Sequence, residues 1–129
     1  MSRTLVVIAS ILGALGVAFG AFGAHGLANY FAANPGAEST FETAVRYHLI
    51  HAVALMGAAW ACDRFPSRWT RYAGWLFVAG IILFSGSLYL LSLLNIRFMG
   101  AIAPIGGACL IAGWLCIGIA AWREKQPHP

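Results

Sequence analysis

Apolar residues run along the chain in blocks separated by short polar breaks. The blocks cover approximately Thr4 to Ala24, Ala44 to Cys62, Tyr72 to Leu94 and Gly100 to Trp122. Each is close to the roughly 20 mostly apolar residues that a helix needs to cross a bilayer. The pattern therefore predicts four spanning helices. The first block, preceded by Arg3, also has the look of a secretory signal. It exceeds a typical signal core, lacks a clean A-x-A site and continues into "GAFGAHGL" (residues 20–27) without a polar stretch, so it is read as a span.

The longest break, "LANYFAANPGAESTFETAVRYH", carries punctuation of its own. Asn34-Pro35-Gly36 predicts a turn. Ser39 and Glu42 have the S-x-x-E spacing of a capping box, which predicts that the second helix starts near Thr40, before the hydrocarbon. The preceding piece, Leu27 to Ala33 with Tyr30 and Phe31, predicts a short interfacial helix lying in the headgroups.

Composition fixes the class of fold that these blocks build. The chain is 60% hydrophobic and only 9% charged over 129 residues, with a mean hydropathy of +0.78. A soluble domain of this size carries about a quarter charged residues and keeps too much surface exposed to hide so many apolar side chains. The expectation is an all-α integral membrane four-helix bundle, residues 1–129 forming a single domain.

Charge adds orientation. Arg3, Arg64, Arg68, Arg71, Arg123 and Lys125 flank one side of the predicted spans, while Arg46 and Arg97 flank the other. Lys and Arg concentrate in cytoplasmic flanks, so both termini are expected inside. Trp60, Trp69, Trp75 and Trp122 fall near that same face, at the depth indole rings favour. The net charge of +4 is thus a topology signal. It forms no basic cluster suited to nucleic acid.

With that topology the unusual residues gather in the outer leaflet. His25 ends the first span, Tyr47, His48 and His51 lie early in the second, and Ser85, Ser87 and Tyr89 lie in the outer half of the third. Pro104, placed in a first turn, opens the fourth. His48 and His51, three apart, share nearly one helix face. If the first two helices are neighbours, His25 approaches them. Three readings stay open on these residues. Each imidazole is neutral and hydrogen-bonded to its surroundings; or the group serves a proton- or ligand-coupled role; or His25, His48 and His51 hold a metal, or two of them a haem.

Other features weigh against site chemistry. Glu38, Glu42, Asp63 and Glu124 all lie outside the predicted spans, so no intramembrane carboxylate orients a ligating imidazole. Ser85 and Ser87 flank Gly86 on opposite sides of a helix and make no nucleophile constellation. Cys62, Cys109 and Cys116 form no C-x-x-C. No internal repeat and no mid-depth ionisable residue mark a transporter. No cofactor is expected. The small residues have a plainer use: Gly16-x-x-x-Gly20 with Gly23 on the first helix, and Gly106, Gly107 and Gly113 on the fourth, offer smooth faces for close helix approach within the bundle or to a partner.

Taken in order, "GAFGAHGL", "TAVRYHLIHAVAL", "ILFSGSLYLL" and "APIGGACLIAGW" resemble the signature segments of an uncharacterised membrane-protein family, domain of unknown function 423. The resemblance covers essentially the whole chain. It implies a four-helix bacterial inner-membrane protein and brings no established activity. It also implies that the positions of His25 and His51 are characteristic histidines, whereas the position of His48 is commonly glutamine. The candidate polar site is accordingly His25 with His51, backed by Tyr47, Ser85, Ser87 and Tyr89. The expected function is a non-enzymatic scaffold or accessory subunit that packs against membrane lipids, a membrane-protein partner or further copies of itself. The competing expectation is a proton-coupled small-solute carrier or a haem or metal binder.

Overall fold

The computed structural model describes residues 2–124, and every element in it is a helix. Helix α1 spans Ser2–His25, α2 Ala28–Ala33, α3 Pro35–Arg64, α4 Arg68–Leu94 and α5 Met99–Arg123. The long helices outrun the apolar blocks at most of their ends, because backbone hydrogen bonding continues past the point where hydropathy falls. By length and composition, α1, α4 and α5 can each cross a membrane. Helix α3 is the longest at 30 residues, but Glu38, Glu42, Arg46, His48 and His51 dilute its apolar content.

The start of α3 corrects the sequence expectation. Asn34-Pro35-Gly36 is the opening of the helix and not a turn ahead of it, so α3 begins at Pro35 rather than near Thr40. Proline suits a first helical position, where its missing N–H costs no helical bond. The Ser39 and Glu42 pair consequently lies inside the helix, where the Ser39 carbonyl accepts from Thr43 Oγ1 at 3.0 Å. At the other break, Ser67 caps α4 by accepting from the Thr70 N–H at 3.4 Å. Asn95, with φ at 52°, ends α4 in the left-handed conformation that asparagine tolerates.

Helix α2 forms where a short interfacial helix is expected, but it is docked onto protein. Phe31 is buried, and the Tyr30 hydroxyl donates to the Ser92 carbonyl near the end of α4 at 2.6 Å. That bond, between residues 62 apart in sequence, ties the α1–α3 connection to α4.

The helices lie in an open row. Helix α1 packs along α3, α3 along α4, and α4 along α5, with only a light touch between α3 and α5. Helices α1 and α5 do not pack on each other, so the closed ring that the word bundle suggests is open on one side. The core joining the row comprises Leu5 and Ala9 of α1, Ala54, Leu55, Ala58 and Ala59 of α3, Phe77 of α4 and Leu110 of α5. Alanine dominates it, which lets α3 approach its neighbours closely.

Glycines set two of the contacts. On α1, Gly16 faces Leu49 and Gly20 faces Val45, a Cβ at those positions falling 2.6 and 3.2 Å from the leucine and valine side chains, while Gly23 lies under the Phe41 ring. On α5, Gly113 lies under Phe77, at 2.7 Å from a Cβ position. Gly106 is tighter still. It meets a π turn over Ile81–Ser85 in α4, closed by the Gly86 N–H to the Ile81 carbonyl, and a Cβ there would overlap backbone atoms of Leu83 and Phe84. Gly107, by contrast, makes ordinary contact with Phe84 at 3.7 Å. Pro104 is inside α5, beyond its first turn, and leaves the Gly100 carbonyl without its usual helical N–H.

The charged ends sort as the antiparallel helices require. Arg64 pairs with Glu124 at 2.9 Å, linking the ends of α3 and α5, with Arg68, Arg71 and Arg123 at the same end of the row. Lys125, counted with them in the sequence, lies outside the described residues.

Candidate functional site

Helix α3 carries two buried histidines that reach in different directions. His48 Nε2 lies 2.7 Å from the Leu12 carbonyl oxygen on α1. A carbonyl only accepts, so Nε2 carries the proton. The other nitrogen, Nδ1, lies 2.8 Å from the Tyr89 hydroxyl on α4 and, having no proton in the neutral ring, accepts from it.

His51 uses its ring in the opposite sense. Its Nδ1 lies 2.8 Å from the Tyr47 carbonyl one turn back and donates to it. Its Nε2 lies 3.1 Å from Trp114 Nε1 on α5. An indole N–H can only donate, so Nε2 is the acceptor. With both rings neutral, the partners assign them to opposite tautomers.

A fourth bond between helices completes the pattern. Ser85, in the π turn of α4, donates to the Ala44 carbonyl of α3 at 2.8 Å. Helix α3 is thus joined by side-chain hydrogen bonds to α1 through His48, to α4 through His48 and Ser85, and to α5 through His51. Aromatic rings seal the seam. Phe19 and Phe41 lie 5.0 and 5.4 Å from the Tyr89 ring, and Tyr47 stacks on His51 at 6.0 Å with 11° between planes. Polar groups buried in an apolar setting are costly unless bonded, and among the described residues no buried side-chain nitrogen or oxygen lacks a partner.

The remaining candidates fall elsewhere. His25 is exposed at the end of α1, and its Nδ1 lies 3.0 Å from the Ala21 carbonyl of its own helix. It does not join His51, because α1 reaches the histidine level through Leu12 and Gly16, well before His25. The buried Ser87 donates to the Leu83 carbonyl within α4. Tyr47 is 40% exposed at the rim of the seam. For a metal, the set His25, His48 and His51 is not assembled: His25 stands apart, and both nitrogens of each buried ring already have partners. Among the described residues no three His, Cys, Asp or Glu side chains come together as a ligand group.

Residues 19–107 match the family described as "Protein of unknown function (DUF423)". The chain belongs to the DUF423 family. Relatives of this DUF423 protein include the UPF0382 membrane protein YwdK of Bacillus subtilis (strain 168), 40% identical over 120 residues, which are 92% of this chain and 96% of that one. The UPF0382 membrane protein SSP2132 of Staphylococcus saprophyticus is 38% identical, over 94% of this chain and 98% of that one. The UPF0382 inner membrane protein YgdD of Escherichia coli (strain K12) is 36% identical, over 97% of this chain and 94% of that one. No solved structure matches it.

One participant in this DUF423 seam is not among the sequence candidates, and another is ranked too low. Trp114 is absent from them, though its position in the middle of an apolar helix is a signal, since an indole N–H in apolar surroundings needs an acceptor. His48 is set behind His25, yet it is the residue that touches both neighbouring helices.

Proposed function

We propose that this DUF423 protein is a non-enzymatic membrane scaffold or accessory subunit, crossing a bacterial inner membrane four times with both termini cytoplasmic. The observation that carries the reading is the complete internal use of the buried polar groups on α3. A metal or substrate would have to displace one of these partners to reach a ring nitrogen; as placed, the imidazoles of His48 and His51 hold helices together. The same bonds explain how α3, despite its polar residues, sits as a fourth span beside three apolar ones. The clustering of Arg3, Arg64, Arg68, Arg71 and Arg123 at one end supports the orientation. The carrier and the haem or metal readings draw no support from the geometry, because His25 is remote from His51.

The open row gives the scaffold its surfaces. Val7 and Val17 on α1 and Ile111 and Leu115 on α5 are all more than half exposed, and these flanks face lipid, a second copy or a membrane-protein partner. Native mass spectrometry of the protein released from its own membranes in mild detergent tests the reading. The expected spectrum shows a stoichiometric protein partner or further copies of the chain. A haem, metal or small-ligand mass lost in His25→Ala and His51→Ala would contradict it.

A further inference from the structure

A cleft of about 260 Å³ lies where α1, α2 and the start of α3 meet, sharing only Phe41 with the histidine seam. Its walls are apolar, formed by Gly20 and Gly23 of α1, Phe31 of α2, and Phe41 and Val45 of α3. The glycines let these walls come close, Gly20 facing the Val45 side chain and Gly23 lying under the Phe41 ring. Glu38, Glu42 and Arg46 complete the lining. All three are exposed, and among the described residues none of them is in an ion pair, the Arg64–Glu124 pair being at the opposite end of α3.

The order of these groups along α3 is the informative feature. Glu38, Glu42, Arg46, Ile50 and Val53 follow at spacings of four, four, four and three, so they form one stripe down the helix. At ~1.5 Å per residue, Glu42 lies ~6 Å beyond Glu38, and Arg46 another ~6 Å further in. Below Arg46 the stripe becomes apolar, with Ile50 50% and Val53 73% exposed. From the end of the helix inward, the sequence of chemistry is carboxylate, guanidinium, hydrocarbon.

A phospholipid with a primary ammonium on its headgroup presents the complementary order: ammonium outermost, phosphate next, acyl chains below. We propose that this cleft binds such a zwitterionic aminophospholipid. Arg46 takes the phosphate, for which the guanidinium fork is suited. Glu38 and Glu42 take the ammonium, whose three N–H groups are all donors. The apolar walls take the glycerol region, and Ile50 and Val53 line the track of the chains. The assignment rests on the four-span reading, which places the start of α3 at the membrane surface.

The test uses the purified full chain in nanodiscs holding equal amounts of phosphatidylethanolamine, phosphatidylcholine and phosphatidylglycerol, with retained lipid counted by native mass spectrometry. Phosphatidylethanolamine is expected to be retained over each of the others by about threefold or more, the scale of one exposed ion pair. Glu38→Gln/Glu42→Gln is expected to bring that ratio to about one, and Arg46→Gln to lower retention of all three lipids. The substituted side chains are exposed, so unfolding temperature serves as the control for an intact fold. Ratios that are equal in the wild type, that ignore Glu38→Gln/Glu42→Gln, or that favour phosphatidylglycerol overturn the proposal. A membrane-impermeant thiol label on Ser39→Cys in whole cells reads the span arrangement separately. Labelling together with indifferent lipid ratios overturns the cleft alone, whereas absence of labelling overturns the span reading on which it rests.

Discussion

The indole N–H of Trp114 on α5 donates to Nε2 of His51 on α3 across 3.1 Å. Apart from the Arg64–Glu124 pair at their ends, it is the one side-chain hydrogen bond between those helices among the described residues, and the two helices otherwise touch lightly. Replacing Trp114 by phenylalanine keeps an aromatic ring but leaves a buried acceptor unpaired. The expected loss is about 1–2 kcal/mol of unfolding free energy in mixed micelles. His51→Phe removes the orphaned acceptor, so the two substitutions together are expected to cost less than the sum of each alone. Additive costs would show that the bond contributes nothing.

The histidines are expected to separate sharply under alanine substitution. His48→Ala removes bonds to both α1 and α4, and a cost of about 2–3 kcal/mol is expected from two unpaired groups and the space left behind. His25→Ala affects an exposed ring bonded within its own helix and is expected to change stability by less than about 0.5 kcal/mol. Thermal unfolding of the two variants in one detergent makes the comparison. The reverse ranking would restore His25 as the important ring.

Gly106 and Gly107 are neighbours in sequence and opposites in tolerance. A methyl group at Gly106 would overlap the α4 backbone in the π turn, so Gly106→Ala is expected to destabilise by about 1–3 kcal/mol as the helices are forced apart. At Gly107 the nearest atom is at an ordinary 3.7 Å, and Gly107→Ala is expected to be neutral or to stabilise by up to ~1 kcal/mol through helix propensity. Unfolding measurements on the pair check both signs.

Docking of α2 depends on the Tyr30 hydroxyl and the Ser92 carbonyl. Tyr30→Phe removes that bond while keeping the ring beside Phe31, at 5.6 Å between centroids in the wild type. Faster backbone hydrogen exchange over residues 28–33, with little change in the cores of α3 and α4, is the expected outcome. Exchange that is unchanged in α2 would mean that Phe31 alone holds it.

Much of this architecture was legible in the chain, for identifiable reasons. The long helices follow from apolar blocks whose lengths match a bilayer, and the short α2 from a break carrying Tyr30 and Phe31. The start of α3 was missed because Pro35 fits a turn and a first helical position equally well, and only the fold decides. At the site, the sequence placed Tyr47, His51, Ser85 and Tyr89 at one level. It joined His25 to them because depth along a helix is readable, whereas the point at which two helices cross is not. The link from His51 to Trp114 spans 63 residues, and no periodicity reports a contact between helices. The π turn is equally silent, since Ile81–Ser85 is ordinary apolar helix sequence apart from its serine.

The most direct test of the account is nitrogen-15 NMR of the histidine rings in the protein reconstituted in lipid. The shifts of Nδ1 and Nε2 report which nitrogen is protonated. The account predicts two neutral rings in opposite states, His48 protonated at Nε2 and His51 at Nδ1, with a coupling or close contact linking the Trp114 N–H to His51 Nε2. Rings that share one tautomer, carry two protons or show metal-bound nitrogens would contradict the claim that these histidines serve to hold α3 to its neighbours.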